Sequence, residues 1–195
     1  MKKLPALILA LCLVFSLAAC SGKEASSVGE DKDILVVYFS CTSNTQRVAK
    51  HIADILDADI YEIVPEEPYT SEDLDTNDPT SRTSLEQNDE AVRPAISGTV
   101  ENMEEYDVIF LGYPVWWGAA PKIMYTFLES YDFSGKTIIP FCTSGSSAIG
   151  SSAANMHSAP SGSPHWLDGA RFSSSAARQT IVEWLEELPV NIPEK

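Results

Sequence analysis

Three short stretches carry the side chains with which this chain could do chemistry. The first is Ser40-Cys41-Thr42-Ser43-Asn44-Thr45, where five hydroxyl or amide residues fill six positions just ahead of a helix-periodic segment. Ser, Thr and Asn are favoured helix caps, but a cap needs one such residue, and five is an excess. Gathered at a helix N-terminus, beside unpaired backbone N–H groups and the positive end of the helix dipole, they favour an anion. The second stretch is Gly112-Tyr113-Pro114-Val115-Trp116-Trp117-Gly118. Adjacent tryptophans in a glycine-flanked loop offer a flat apolar face to an aromatic ligand, with one of the pair expected to plug the core and the other to meet the ligand. The third, Thr143-Ser144-Gly145-Ser146, adds hydroxyl and backbone donors.

Several chemistries are disfavoured by what is missing. The first loop has no Gly-x-x-x-x-Gly-Lys and no Gly-x-Gly-x-x-Gly, so neither a nucleoside triphosphate loop nor a dinucleotide fingerprint has support. No Gly-x-Ser-x-Gly elbow marks a serine hydrolase. His51 is expected on the exposed side of a helix, and His157 and His165, eight residues apart near the ligand edge, are weak evidence for a metal.

The elements that must position these loops alternate. Ile34 to Phe39 is an unbroken apolar run, as in a parallel strand covered on both faces. Thr45 to Leu56 sets Val48, Ile52, Ile55 and Leu56 on one helical stripe. Asp59 to Val64 reads as a weaker strand and Val108 to Leu111 as a second strong one. A helix from Pro121 follows, with Pro suited to a first helical position. Thr137 to Cys142 is a third strong strand, in which Pro140 predicts a bulge because it lacks a ladder donor. A short strand near His165-Trp166-Leu167 precedes a last helix bearing Ile181, Trp184, Leu185 and Leu188. This order predicts an α/β sandwich with a mostly parallel five-stranded sheet, and places all three loops at one sheet edge, where open α/β sheets bind ligands.

The chain ends and the charge add context. Lys2 and Lys3, the apolar run Leu4 to Leu17, and Leu17-Ala18-Ala19-Cys20 make an export signal, residues 1–19, too short for a spanning helix. The Leu-Ala-Ala-Cys tetrad resembles a bacterial lipobox, which implies lipidation at Cys20, anchoring by acyl chains, and an extracytoplasmic location at the cell membrane. Residues 20–32, small and polar, form a flexible tether. Removing residues 1–19 takes away Lys2 and Lys3 and no acid, so the formal charge moves from −15 to −17. Such acidity makes nucleic acid an unsuitable partner. Residues 65–106 hold 12 acids against Arg82 and Arg93, a long insert that is either functional or partly disordered. Cys12 leaves with the signal, while Cys41 and Cys142 fall on strands that are not neighbours and are expected to be free thiols.

A strand leading into Ser40-x-Thr42-Ser43-Asn44-Thr45 resembles the phosphate loop of flavodoxins, T/S-x-T-G-N-T. The Gly-Tyr-Pro-Val-Trp-Trp-Gly and Pro-Phe-Cys-Thr-Ser-Gly-Ser stretches are similar to those of flavodoxin-like bacterial lipoproteins. The similarity spans Ile34 to Leu188, with the domain as a whole at residues 33–190. It implies a three-layer sandwich with strand order 2-1-3-4-5, helices on both faces, and one bound FMN. The phosphate would lie on Ser40, Thr42, Ser43, Asn44 and Thr45. The ring would lie against Pro114, Val115, Trp116, Trp117, Gly118 and Thr143, Ser144, Gly145, Ser146. Ser43 departs from the family's glycine. The resemblance implies electron transfer to a partner protein or a small-molecule acceptor. An FMN-dependent NAD(P)H:quinone-type reductase is the alternative, although Pro-Val-Trp-Trp-Gly differs from the Pro-Thr-x-Phe-Gly of quinone-reducing relatives. Two readings from other classes stand beside it. A binding lipoprotein could have kept the fold and lost the flavin. The Cys41-x5-Arg47 spacing also resembles low-molecular-weight tyrosine phosphatases, with Cys41 as nucleophile and Arg47 as phosphate clamp. That reading lacks the Ser or Thr after the arginine, where Val48 stands, and the late Asp-Pro acid.

Overall fold

A computed structural model describes residues 33–190. The signal (1–19), the tether (20–32) and Cys20 lie outside the described residues.

The apolar runs form the strands their burial requires. β1 (Ile34–Tyr38) and β5 (Val108–Pro114) carry the strongest runs, and β1 is buried along its whole length. β6 (Thr137–Thr143) is likewise buried throughout. Exposed β2 (Asp59–Glu62) takes an edge. The strands pair in parallel in the order β2-β1-β5-β6, and two short strands, β7 (His165–Trp166) and β8 (Ala170–Phe172), share the position beyond β6. This is the 2-1-3-4-5 order, with six strands in five positions.

The split of the last position has a local cause, and it replaces the bulge expected in β6. The β5–β6 register runs without interruption from Val108 opposite Thr137 to Pro114 opposite Thr143, straight past Pro140. The carbonyl of Ile138 faces the outer neighbour, where it accepts from the Leu167 N–H at 3.0 Å. Pro140, two residues on, faces the same way and has no N–H to offer, so the ladder breaks there. The outer strand resumes at Ala170, after Gly169 passes close to Pro140.

Helices cover both faces. α1 (Asn44–Leu56) buries Val48, Ala49, Ile52, Ala53 and Leu56, and α5 (Arg178–Glu186) buries Ile181 and Leu185, on the face of Val36, Phe110 and Phe141. α3 (Lys122–Glu129) packs Ile123, Met124, Phe127 and Leu128 on the face of Leu35, Val37 and Leu111. It begins one residue later than expected, with Pro121 as the residue before the first turn.

The acidic insert is folded. Val64–Pro65 (β3) leaves the main sheet and pairs antiparallel with Ile96–Ser97 (β4), closing the insert at its base. Between them lies α2 (Arg82–Asn88), capped by the Ser81 hydroxyl, which accepts from the Ser84 N–H. Tyr69, Ile96 and Val100 of the insert pack against the α3-side core. A fourth helix, α4 (Gly150–Ala154), follows the serine-rich loop.

Candidate functional site

The parallel order brings the loops after β1, β5 and β6 side by side, because those three strands are adjacent. In the first loop Ser43 sits at φ 61°, ψ 4°, the left-handed conformation that glycine adopts without cost. The backbone thus takes up at Ser43 the geometry that a glycine would favour there. The N–H groups of Thr42, Ser43, Asn44, Thr45 and Gln46 have no acceptor among the described residues, and the first turn of α1 carries no acid. Thr42 and Ser43 are exposed, and Ser40 and Asn44 are half-buried. Asn44 Nδ2 donates to Thr42 Oγ1 at 3.1 Å, holding the loop on itself. Thr45 differs from these. It is fully buried, and its hydroxyl lies 2.7 Å from that of Thr143, also buried, so this pair ties the first loop to the third.

The second loop separates the two tryptophans. Trp116 and Ala119 exchange both backbone hydrogen bonds at 2.9 Å, closing a two-residue turn over Trp117 and Gly118. Both central residues have positive φ, 50° at Trp117 and 80° at Gly118, as in a type I′ turn. Trp116 packs inward in an aromatic cluster, with its ring 5.6 Å from those of Phe39 and Tyr69. Trp117 stands at the turn tip, 50% exposed. A bulky residue at φ 50° is uncommon and strained by about 1–2 kcal/mol, so something else in the molecule holds it. Pro114 and Val115 are half-buried, and Val115 N–H donates to Thr143 O, binding the second loop to the third.

In the third loop Ser144 Oγ donates to Ser147 O, and Ser144 N–H donates to Phe172 O. Gly145 and Ser146 are exposed. Arg171 on β8 donates through Nη2 to Ser144 O at 2.9 Å and to Gly145 O at 2.6 Å. The loop's carbonyls are therefore turned outward onto a guanidinium. Beneath the site Tyr113 is fully buried, and its hydroxyl pairs with Ser152 Oγ at 2.9 Å.

Sequence reasoning missed the contributions of the insert and of β8. Arg82 lies 4.1 Å over the ring of Tyr69 and donates through Nε to Glu86 at 2.8 Å, while the Tyr69 hydroxyl donates to Glu86 at 2.7 Å. Gln87 Nε2 donates to Trp116 O at 3.0 Å and to Ala120 O at 3.3 Å. Nothing in an acidic, turn-rich stretch signals that it reaches the tryptophan loop, since those contacts span 29 and 33 residues.

Cys41 lies in this setting with its thiol pushed up to about 12, chiefly by burial, with Arg82 lowering it by less and Glu86 raising it. A thiol so held is protonated at neutral pH, which counts against a phosphatase nucleophile. Arg47 is exposed on α1. Cys41 and Cys142 are both free thiols, with β5 between their strands. The histidines are not at this edge. His165 pairs opposite Thr137, at the start of β6, and His157 stacks at 4.4 Å on Trp166, opposite Ile138, so both belong to the far edge of the sheet. His51 is half-buried rather than exposed, and no cluster of metal-binding side chains occurs among the described residues.

A doubly covered parallel sheet with a hydroxyl-rich helix N-terminus and an exposed tryptophan turn at its C-terminal edge defines an open α/β protein, with the three loops gathered at the edge where such sheets bind ligands. The family model described as Flavodoxin matches residues 33–188, and the chain belongs to the flavodoxin family. Two solved Bacteroides structures, each described as a "putative flavoprotein", are similar to it. The one from Bacteroides eggerthii is 42% identical, covers 82% of this chain and 99% of its own, and has a TM-score of 0.76. That from Bacteroides uniformis is 40% identical, covers 81% and 100%, and has a TM-score of 0.75. A flavoprotein from Lactobacillus acidophilus, solved in complex with FMN, shares the fold at 22% identity and a TM-score of 0.58, covering 80% of this chain and 99% of its own. No curated protein matches the chain significantly.

Proposed function

We propose that this chain is an FMN-binding electron-transfer flavoprotein, exported and held at the outer face of a bacterial membrane by lipid on Cys20. The observation that carries the reading is Trp117. A half-exposed indole, kept in a strained left-handed turn beside a loop with free backbone donors, has no folding role that would account for its strain.

The donor set fits the cofactor. The N–H groups of Thr42 to Gln46 and the hydroxyls of Ser40, Thr42 and Ser43 match a phosphate, and the dipole of α1 favours its charge without a lysine. Thr45 and Thr143 hold the loops together from below. The Ser144 N–H and the Ser144 and Gly145 carbonyls are already taken by Phe172 and Arg171, so the N–H groups of Gly145 and Ser146 are the third-loop donors that would face the ring. Trp117 supplies an aromatic face, with Pro114, Val115 and Gly118 shaping the turn around it. FMN bound here supplies one- and two-electron transfer. The protein's share is to orient the ring, exclude water from its buried side and surround it with charge.

The acid-rich insert suits docking of a basic redox protein, and a small-molecule acceptor at the exposed indole is the other partner class. Reconstitution tests the reading. The mature chain mixed with FMN should carry one flavin per protein through gel filtration, bleach on dithionite and recover in air. Protein emerging without flavin would overturn it. In cells, Cys20→Ser should move the protein from the membrane to the soluble fraction.

A further inference from the structure

The geometry points to Gln87, on helix α2 of the acidic insert, as the positioning residue that holds the Trp117 turn ready for its ligand. The inference rests on the FMN reading and assigns a role to the insert within it.

Gln87 clamps both ends of one turn. Its Nε2 donates to Trp116 O, the residue that opens the turn, and to Ala120 O, just past the residue that closes it. Two carbonyls as partners fix which way the amide lies, since the reverse would set Oε1 against two oxygens. That Oε1 is buried and has no hydrogen-bond partner. Leaving a buried acceptor unpaired is unfavourable and rare in folded proteins, so both N–H donors are kept on the turn at the expense of the oxygen. The clamp also explains how Trp117 stays at φ 50° with half its surface in water. A turn of two positive-φ residues, one of them tryptophan, would relax if only its own two backbone bonds closed it.

The clamp is itself anchored. One residue before Gln87, Glu86 is buried and accepts from the Tyr69 hydroxyl and from Arg82, and Tyr69 packs on Trp116. The insert therefore grips the tryptophan loop from outside through Gln87 and from beneath through Tyr69. A shifted α2 would shift the indole, which makes the insert a tuning element for ring stacking.

A double-mutant cycle on the mature chain tests this, with FMN affinity measured for wild type, Gln87→Leu, Trp117→Ala and the pair. Gln87→Leu should weaken FMN about tenfold, from the loss of two hydrogen bonds. In the Trp117→Ala background it should weaken FMN no further, because it acts through that indole. An equal loss in both backgrounds, or no loss in either, would overturn the inference. Gln87→Met, which keeps the side chain's length but offers no N–H or O–H donor and no charge, should behave as Gln87→Leu does and guards against a packing artefact of the leucine. A second arm needs no cofactor. In the apo protein, amide exchange at Trp116 and Ala119 should quicken about tenfold in Gln87→Leu while the β5 core stays protected. Unchanged exchange there would overturn the inference even if FMN binds, whereas absence of FMN binding by wild type would strike the proposed function and leave this arm decisive.

Discussion

At the scale of single residues, two positions hold conformations that their side chains do not favour. Ser43 stands at φ 61° as the residue before α1, in the loop after β1. Ser43→Gly should stabilise the apo protein by about 1 kcal/mol by lifting the left-handed penalty, read as a higher urea midpoint. A lower midpoint would show that the serine hydroxyl contributes more than its backbone costs. Trp117 and Trp116 should separate cleanly. Trp117→Ala, which keeps the Cβ that makes φ 50° costly, should leave the midpoint about unchanged and weaken FMN about tenfold. Trp116→Ala, which removes a ring packed against Phe39 and Tyr69, should cost about 3 kcal/mol of folding stability. The structure separates the adjacent tryptophans into one packed inward and one at the surface, as their setting between glycines suggested; which is which was not legible. The choice lies in the sign of φ at Trp117 and in where Tyr69 lands, neither of which a local pattern encodes. Arg171 shows the same limit. Its role at the third loop depends on β8 resuming beside β6 after the break at Pro140, a tertiary event.

At the scale of elements, the continuous apolar runs of β1, β5 and β6 and the stripe of α1 were readable because burial on both sheet faces leaves no alternation to confuse them. Pro140 was visible as a disturbance, but it lies in a strand with neighbours on both sides, and the missing donor faces outward. The ladder to β5 is intact and the edge strand divides instead. Gly169, between the two short strands, makes this testable. A Cβ there would lie 2.2 Å from Pro140 O and 2.6 Å from Ile149 Cδ1. Gly169→Ala should therefore cost about 2 kcal/mol or more, since backbone must give way rather than a side-chain tip. A neutral result would mean that the β7–β8 connection moves freely and does not fix the third loop. The insert was legible in composition only. Its charge count is the same whether it is a solvated flap or a folded brace, and the contacts that decide, Gln87 to Trp116 and Tyr69 to Glu86, join positions far apart in the chain.

At the scale of the whole molecule, the two free thiols set an alkaline limit. Cys41 and Cys142 both have thiols raised from 9.0 to about 12, chiefly by burial. The unfolded chain releases those protons near 9 and the folded one holds them to about 12, so stability is full below pH 9 and is lost as pH rises from there. Tyr69 and Tyr113, also raised mainly by burial, act in the same direction at higher pH. Urea midpoints of the reduced protein should fall between pH 8 and pH 10.5, and a flat profile would show the thiols to be open to water. The same protonated Cys41 means that Cys41→Ser should leave FMN affinity near that of wild type. The net charge of −15 disfavours an anionic ligand everywhere except where backbone donors and a helix dipole are gathered to receive it. The proposed function therefore requires the loop after β1 and Trp117 to act on one molecule. Fluorescence titration of the protein with FMN and, separately, with riboflavin tests that directly. Quenching by a single site with FMN, and at least tenfold weaker binding of riboflavin, is the predicted result. Equal affinity for the two, or no quenching by either, would contradict it.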